Sequence, residues 1–261
     1  MKATEIMQKL FDLARKDADF SHTCDTCKAG DPEREVTKAA VTMTATPEVV
    51  QAAAEWGAEL LIVHEPTYYD HWDNWTDEAQ QCEKRRRIDE TGMVIWRYHD
   101  HPHRTVPDII VKGVYRQLGI KGQLEDTGYG RFVLDEPMTA LQLAKTIEER
   151  LGLKHVRIAG AKDIPSTHIS GVFGSADDWV YSDLMDDWCE IALTGETCEW
   201  RTAEYARDAA QLGRNKSLIV LTHVGSERDG MKYAAEVLKE VCPELEVKYF
   251  ESGAVYSYTD D

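Results

Sequence analysis

Nowhere in its 261 residues does the chain carry an apolar run approaching the ~18 residues of a membrane-spanning helix, so no such span is expected. Residues 1–20 alternate charged and apolar side chains and lack the apolar core of a signal peptide, which points to a soluble, cytoplasmic protein. Cationic side chains are also few. Lys and Arg number 30 against 47 Asp and Glu, a formal net charge of -17, whereas binding a nucleic acid or an anionic membrane needs the opposite balance. The six cysteines contain one close pair, Cys24-Asp25-Thr26-Cys27. It has no second pair and no Cys/His partners at zinc-ribbon spacing. It also lacks the strand-then-helix setting of a redox dithiol, and so reads as free thiols in a loop. Gly171 and Gly174 match neither a dinucleotide fingerprint nor a phosphate-binding loop. No repeat of solenoid length is present.

What the chain does have is a set of apolar strands that end in histidine. Leu60-Leu61-Ile62-Val63 runs into His64-Glu65-Pro66, Met93 to Tyr98 runs into His99-Asp100-His101-Pro102-His103, and Leu218 to Leu221 runs into Thr222-His223, with Glu227 four residues on. Short continuous apolar runs suit parallel strands buried on both faces, and ligands gather at the carboxyl ends of such strands. A lone histidine after a strand is more often a structural residue. Three such ends, each with a further imidazole or carboxylate close by, point instead to a shared metal site, because these are the donors that zinc and transition metals accept.

Around these ends the pattern alternates helix and strand. An amphipathic helix is expected over 4–16, a loop over 21–34, and a strand over 36–44. A helix opens at Thr46-Pro47-Glu48 and closes at Gly57. A strand, helix and strand of this length form a βαβ unit with parallel pairing. The aromatic loop Tyr68, Tyr69, His71, Trp72 and Trp75 has two readings of about equal weight, a site wall or subunit contact on one side and rings that simply anchor a long loop on the other. It leads into a charged helix over 76–90, on which Lys84-Arg85-Arg86-Arg87 reads as a solvated face. Helices are further expected at 107–118, 139–151, 175–187, 202–212 and 230–241, with strands near 131–134, 156–159, 169–174, 191–193 and 245–250. A new segment begins at Thr127. Thr194-Gly195-Glu196 is a fourth strand end with an acid, and Glu196 and Glu199 are candidates for orienting metal ligands.

The order of strand-His-x-Pro, a His-rich strand end, a late Thr-Gly-acid turn and His223-x-x-x-Glu227 resembles the Nif-three-like family, often labelled type 2 GTP cyclohydrolase I. Gly30-Asp31-Pro32 and Thr46-Pro47-Glu48-Val49-Val50 resemble its early segments, and the likeness covers nearly the whole chain. The resemblance implies an α/β fold of two three-layer lobes with mixed, mostly parallel sheets, here 1–125 and 126–261. It places a metal site in the cleft between them and implies toroidal homohexamers. By position, His64, His223 and Glu227 correspond to ligands, and Glu65 stands where the family has a second histidine. The family's His-x-x-x-Asp becomes His99-x-x-x-His103, so Asp100, His101 or His103 supplies the middle ligand.

The expected activity is hydrolysis of a small nucleotide-like or heterocyclic molecule by two divalent ions, zinc, iron or manganese, held by His64, Glu65, Asp100, His103, His223 and Glu227. Such ions lie roughly 3.5–4 Å apart and activate a water. Glu65 and Glu227 are the candidate catalytic carboxylates, one of them bridging, with Glu196 or Asp100 relaying protons. Two other readings stand beside this one: a ring-shaped metal-binding regulatory protein without turnover, and a phosphoesterase using His99, His101 and His103 alone.

Overall fold

The computed structural model describes residues 1–125 and 130–260. In chain order the first elements are α1 (Ala3–Phe11), β1 (Cys27–Ala29), β2 (Lys38–Thr42), α2 (Pro47–Trp56), β3 (Leu60–Val63), α3 (Ala79–Thr91) and β4 (Val94–Arg97). There follow α4 (Ile109–Leu118), β5 (Gly122–Leu124), β6 (Arg131–Met138), α5 (Ala140–Leu151), β7 (Arg157–Gly160), β8 (Ser166–Val172) and α6 (Asp177–Met185). The last are β9 (Ile191–Thr194), α7 (Glu204–Gln211), β10 (Ser217–Val220), α8 (His223–Val241) and β11 (Glu246–Tyr249). The chain divides into two compact units, Met1–Thr105 with Met231–Asp261, and Val106–Gly230.

The first unit is built on a five-stranded sheet in the order β1-β4-β3-β2-β11, parallel except for β1. Its βαβ units arise as the sequence predicts. Thr46 caps α2 by accepting the Val49 N–H at 3.2 Å, Pro47 occupies the first turn, and Gly57 ends the helix at φ 88°. Val49, Val50 and Ala53 of α2 and Ile88 of α3 pack on Ala40, Leu61, Val63 and Ile95. The alternate residues Ala39, Val41, Leu60, Ile62 and Val94 are buried too, so both faces of the sheet are covered. On that second face Phe11 of α1 meets Trp96 edge-on, with ring centroids 6.3 Å apart.

The second unit holds a six-stranded sheet, β5-β6-β8-β9-β10-β7. Its centre, β8-β9-β10, is parallel, and the outer strands are antiparallel. One face carries α4 and α5, through Val114, Leu118, Leu143 and Ile147, and the other carries α6 and α7, through Val180, Leu184 and Ala206. This unit is therefore three-layered. Two mixed sheets with parallel cores make the fold α/β, as the patterning implied.

The compact units divide the chain at 105/106 and again at 230/231, where it returns to the first unit because β11 pairs in register with β2, Val247 opposite Ala39. The expected segment start at Thr127 lies outside the described residues. Two expectations change, on the segments 21–34 and 230–241. Residues 21–34 are not all loop, since Cys27 opens β1 against Trp96, and Cys24 is buried. The last long helix begins at His223 rather than Gly230, because Gly225 and Gly230 sit inside it where a Cβ would meet Leu153 and Ile110 at 2.9 and 2.6 Å. Close packing, not helix termination, explains those two glycines.

Candidate metal centre

In the first unit the candidate ligands stand at the carboxyl edge of β3 and β4. The backbone N–H groups of His64 and Glu65 both donate to the Met43 carbonyl, at 3.2 and 3.0 Å, which fixes the turn out of β3. His64 is fully buried, and its Nδ1 lies 3.0 Å from the Tyr98 carbonyl. A carbonyl can only accept, so Nδ1 carries the proton and the Nε2 lone pair is the one offered to a metal.

His99 is oriented in the same way by Asp100, whose Oδ1 is 2.9 Å from His99 Nδ1. Burial opposes the Asp100 charge, but donation from His99, from Thr23 Oγ1 at 2.8 Å and from the Cys24 N–H at 3.1 Å outweighs it. The carboxyl is held well below the usual range. Burial also lowers the His99 pKa, helped by the neighbouring His64 and His103 rings and opposed by Asp100, so the imidazole is neutral at pH 7. The His103 ring centroid is 5.2 Å from that of His64 and 5.3 Å from that of His99. Ligand atoms of His64, His99 and His103 lie within 4.8 Å of one another, spacing that suits one ion.

The remaining imidazole of the cluster is turned away from this work. His101 is stacked between Phe11 and Phe20, with centroids 3.8 and 3.7 Å away, and its Nδ1 is 2.7 Å from Asp25 Oδ2. Asp25 also accepts the backbone N–H groups of His99, Asp100 and His101 at 2.7, 2.9 and 2.8 Å. Burial disfavours the Asp25 charge, and these donors more than compensate, so its carboxyl titrates low. Asp25 thus holds the whole turn that presents His99 and His103, a role that the sequence reading missed. A single acid between two cysteines in a polar stretch carries no periodic signal. Cys24 is buried and its thiol is pushed up to about 12 by burial, and both cysteines of the pair are free thiols.

In the second unit Thr222, two residues beyond the end of β10, is a β-branched residue held at φ 86°. That conformation is costly for such a side chain. It turns the chain so that His223 and Glu227 share one face of the first turns of α8, His223 Nε2 being 3.2 Å from Glu227 Oε2. Glu196 Oε1 lies 2.6 Å from His223 Nδ1, as the Thr-Gly-acid turn suggested, whereas Glu199 pairs with Arg157 at 2.9 Å. Two glycine turns admit α8 this closely. A Cβ on Gly174, itself at φ +70°, would lie 2.7 Å from Glu227 Oε1, and one on Gly195 would lie 2.5 Å from Ser226 Oγ. Ser226 ties the same turn by accepting the Gly174 N–H at 2.9 Å and donating to the His223 carbonyl at 2.7 Å. Glu227 is 2% exposed, so its carboxylate belongs to the built interior of the site.

Over residues 1–254 the sequence matches the profile of the Duf34/NIF3 (NGG1p interacting factor 3) family. The chain belongs to this family. A curated relative, "GTP cyclohydrolase 1 type 2 homolog" of Clostridium perfringens, is 26% identical over 248 residues, covering 92% of each chain. The crystal structure of the Staphylococcus aureus protein SA1388 superposes with a TM-score of 0.79 at 16% identity, over 99% of both chains. A Bacillus cereus protein related to NIF3 gives 0.79 at 12% identity, over 99% of this chain and 98% of that one. These likenesses establish the NIF3 fold, and candidate metal-binding groups lie within it.

Proposed function

We propose that the chain is a divalent-metal-dependent hydrolase acting on a nucleotide-like or heterocyclic substrate. The observation that carries the reading is the trio His64, His99 and His103. Two of these rings have Nδ1–H engaged by an acceptor, which directs the other nitrogen to a cation. Such a nitrogen-rich set, extended by carboxylates, suits zinc, iron or manganese rather than calcium or magnesium. When bound, these ions supply Lewis acidity and make water acidic enough to attack at neutral pH.

The proposal draws on His64, Glu65, His99 and His103 with His223 and Glu227 for two ions, and on Glu65 and Glu227 as the carboxylates that hold and pass protons. Asp100 is assigned to orienting His99 and Glu196 to orienting His223, through the hydrogen bonds that they make. Assembly into a homohexamer belongs to the same reading. The relative's name, "GTP cyclohydrolase 1 type 2 homolog", supports the substrate class. The test is a screen of zinc- and manganese-loaded protein against nucleoside triphosphates and phosphoesters, beside His64→Ala and His223→Ala. Metal-dependent turnover lost in both variants is the expected result. Turnover that survives both overturns the reading, and solution mass decides the assembly.

A further inference from the structure

The loop after His64 is held far more firmly than its exposure would require. Tyr69 and Asp73, at φ 65° and 59°, occupy left-handed backbone that non-glycine residues seldom adopt, and they flank His71 and Trp72. The Asp73 side chain is 3% exposed, accepts the Tyr68 N–H at 2.9 Å and lies 3.1 Å from the ammonium of Lys28, whose side chain is also buried. Arg97, also buried, donates to the carbonyls of His64 and His71. Lys84 donates to the Thr67 carbonyl at 2.6 Å, and Asp70 accepts the N–H groups of Trp72 and Asn74, each at 3.0 Å. Burying such charges is expensive unless they are paired, and strained backbone persists only where its surroundings impose it.

Yet the rings that this scaffold fixes stay in solvent: Tyr69 is 59% and Trp72 51% exposed. Trp72 meets the His71 ring edge-on at 4.8 Å, and His71 meets His99 edge-on at 6.0 Å. A rigid, half-exposed indole is thereby joined through one imidazole to a member of the candidate metal trio. Rigid aromatic faces bind flat rings with little loss of conformational entropy.

We infer that Trp72, buttressed by His71, is the platform on which the planar heteroaromatic ring of the substrate stacks. This rests on the hydrolase reading for the identity of the ligand as substrate, but its test needs no turnover. Zinc-loaded full-length protein is titrated calorimetrically with guanosine, which offers a flat ring, and with ribose 5-phosphate, which does not, using wild type, Trp72→Ala and Trp72→Phe. Metal content and native mass are measured on each sample. Guanosine is expected to bind wild type saturably, about tenfold or more weaker in Trp72→Ala and within about threefold of wild type in Trp72→Phe, the range that base stacking gives. Ribose 5-phosphate affinity and metal content are expected to be the same in all three. Equal guanosine binding by wild type and Trp72→Ala overturns the inference, as does absence of binding to wild type. A changed native mass with unchanged guanosine affinity also overturns it and assigns the loop to contact between copies. Should His64→Ala retain hydrolysis while Trp72→Ala weakens guanosine binding, the hydrolase reading fails and the stacking platform stands.

Discussion

His101 Nδ1 lies 2.7 Å from Asp25 Oδ2, and the imidazole is sandwiched between Phe11 and Phe20. One histidine of the His99-Asp100-His101-Pro102-His103 run is thereby held as a buried post. The carboxylate that fixes it also collects the three backbone N–H groups of residues 99–101. The neighbouring rings inherit their positions from this buried anchor.

Removing the anchor has a definite expected effect. Asp25→Ala leaves four donors, two of them fully buried, without their acceptor and is expected to lower stability by about 3–5 kcal/mol, read by urea unfolding. Zinc affinity is expected to fall by about 10–100-fold, the scale for groups that orient ligands. The Asp25 carboxyl titrates below its ordinary value of about 3.9. Its stabilisation is accordingly complete above that pH and is lost as pH falls through the lower folded value. The gap between wild type and variant is expected to be widest near neutrality and to close in acid. A gap that does not change with pH refutes the assignment.

Much of this was legible in the sequence. The apolar quartets Leu60–Val63 and Leu218–Leu221, the Thr46-Pro47 cap and the glycine stops at 57 and 92 mark strands and helices that the structure has within a few residues. The strand-end histidines likewise mark a candidate centre, because periodicity and turn chemistry are local. Asp25, the Tyr98 carbonyl and the buried Lys28–Asp73 pair were not legible, since each acts on residues distant in the chain. Nor was the burial of Lys84. The basic run reads as a solvated face, and its arginines are paired with Glu83, Asp89 and Glu90, Arg86 and Arg87 being exposed and Arg85 half-buried, but Lys84 turns inward to the Thr67 carbonyl.

That inward lysine sets an alkaline signature. Burial pushes Lys84 down to about 8, against an opposing pull from Asp73. Between pH 8 and the unfolded value of about 10.4 the unfolded chain binds more protons than the folded one, so this group makes stability rise with pH across that window. Below pH 8 its burial is a penalty on the order of 3 kcal/mol. Lys84→Met is expected to remove the rise, seen as a stability difference from wild type that shrinks as pH increases from 8 to 10. A difference that grows over the same range contradicts the burial.

Gly174 offers a probe of the candidate pair His223 and Glu227. A methyl there would stand 2.7 Å from Glu227 Oε1, on a backbone at φ +70°. Gly174→Ala is expected to cost about 1–2 kcal/mol from the left-handed conformation alone. It is also expected to displace the Glu227 carboxylate and weaken metal retention, with Gly213→Ala as the control. Gly213 has a similar φ of +80° and nothing within 4 Å of its Cβ. Thermal unfolding is expected to fall in both variants, but bound zinc, measured after dialysis, only in Gly174→Ala.

Thr222 separates strain from placement. Its φ of 86° is unfavourable for a β-branched residue, and the turn survives because its N–H donates to the Gly195 carbonyl at 3.0 Å and its Oγ1 accepts the Gly225 N–H at 3.2 Å. Asparagine tolerates left-handed backbone and keeps a side-chain acceptor. Thr222→Asn is therefore expected to raise stability by about 1 kcal/mol, read as a higher midpoint in thermal unfolding. If the strain serves only to aim His223, the better-suited residue keeps that aim, and metal retention should match wild type. If it falls while the midpoint rises, the methyl of Thr222 is itself needed to hold the first turn of α8 in place.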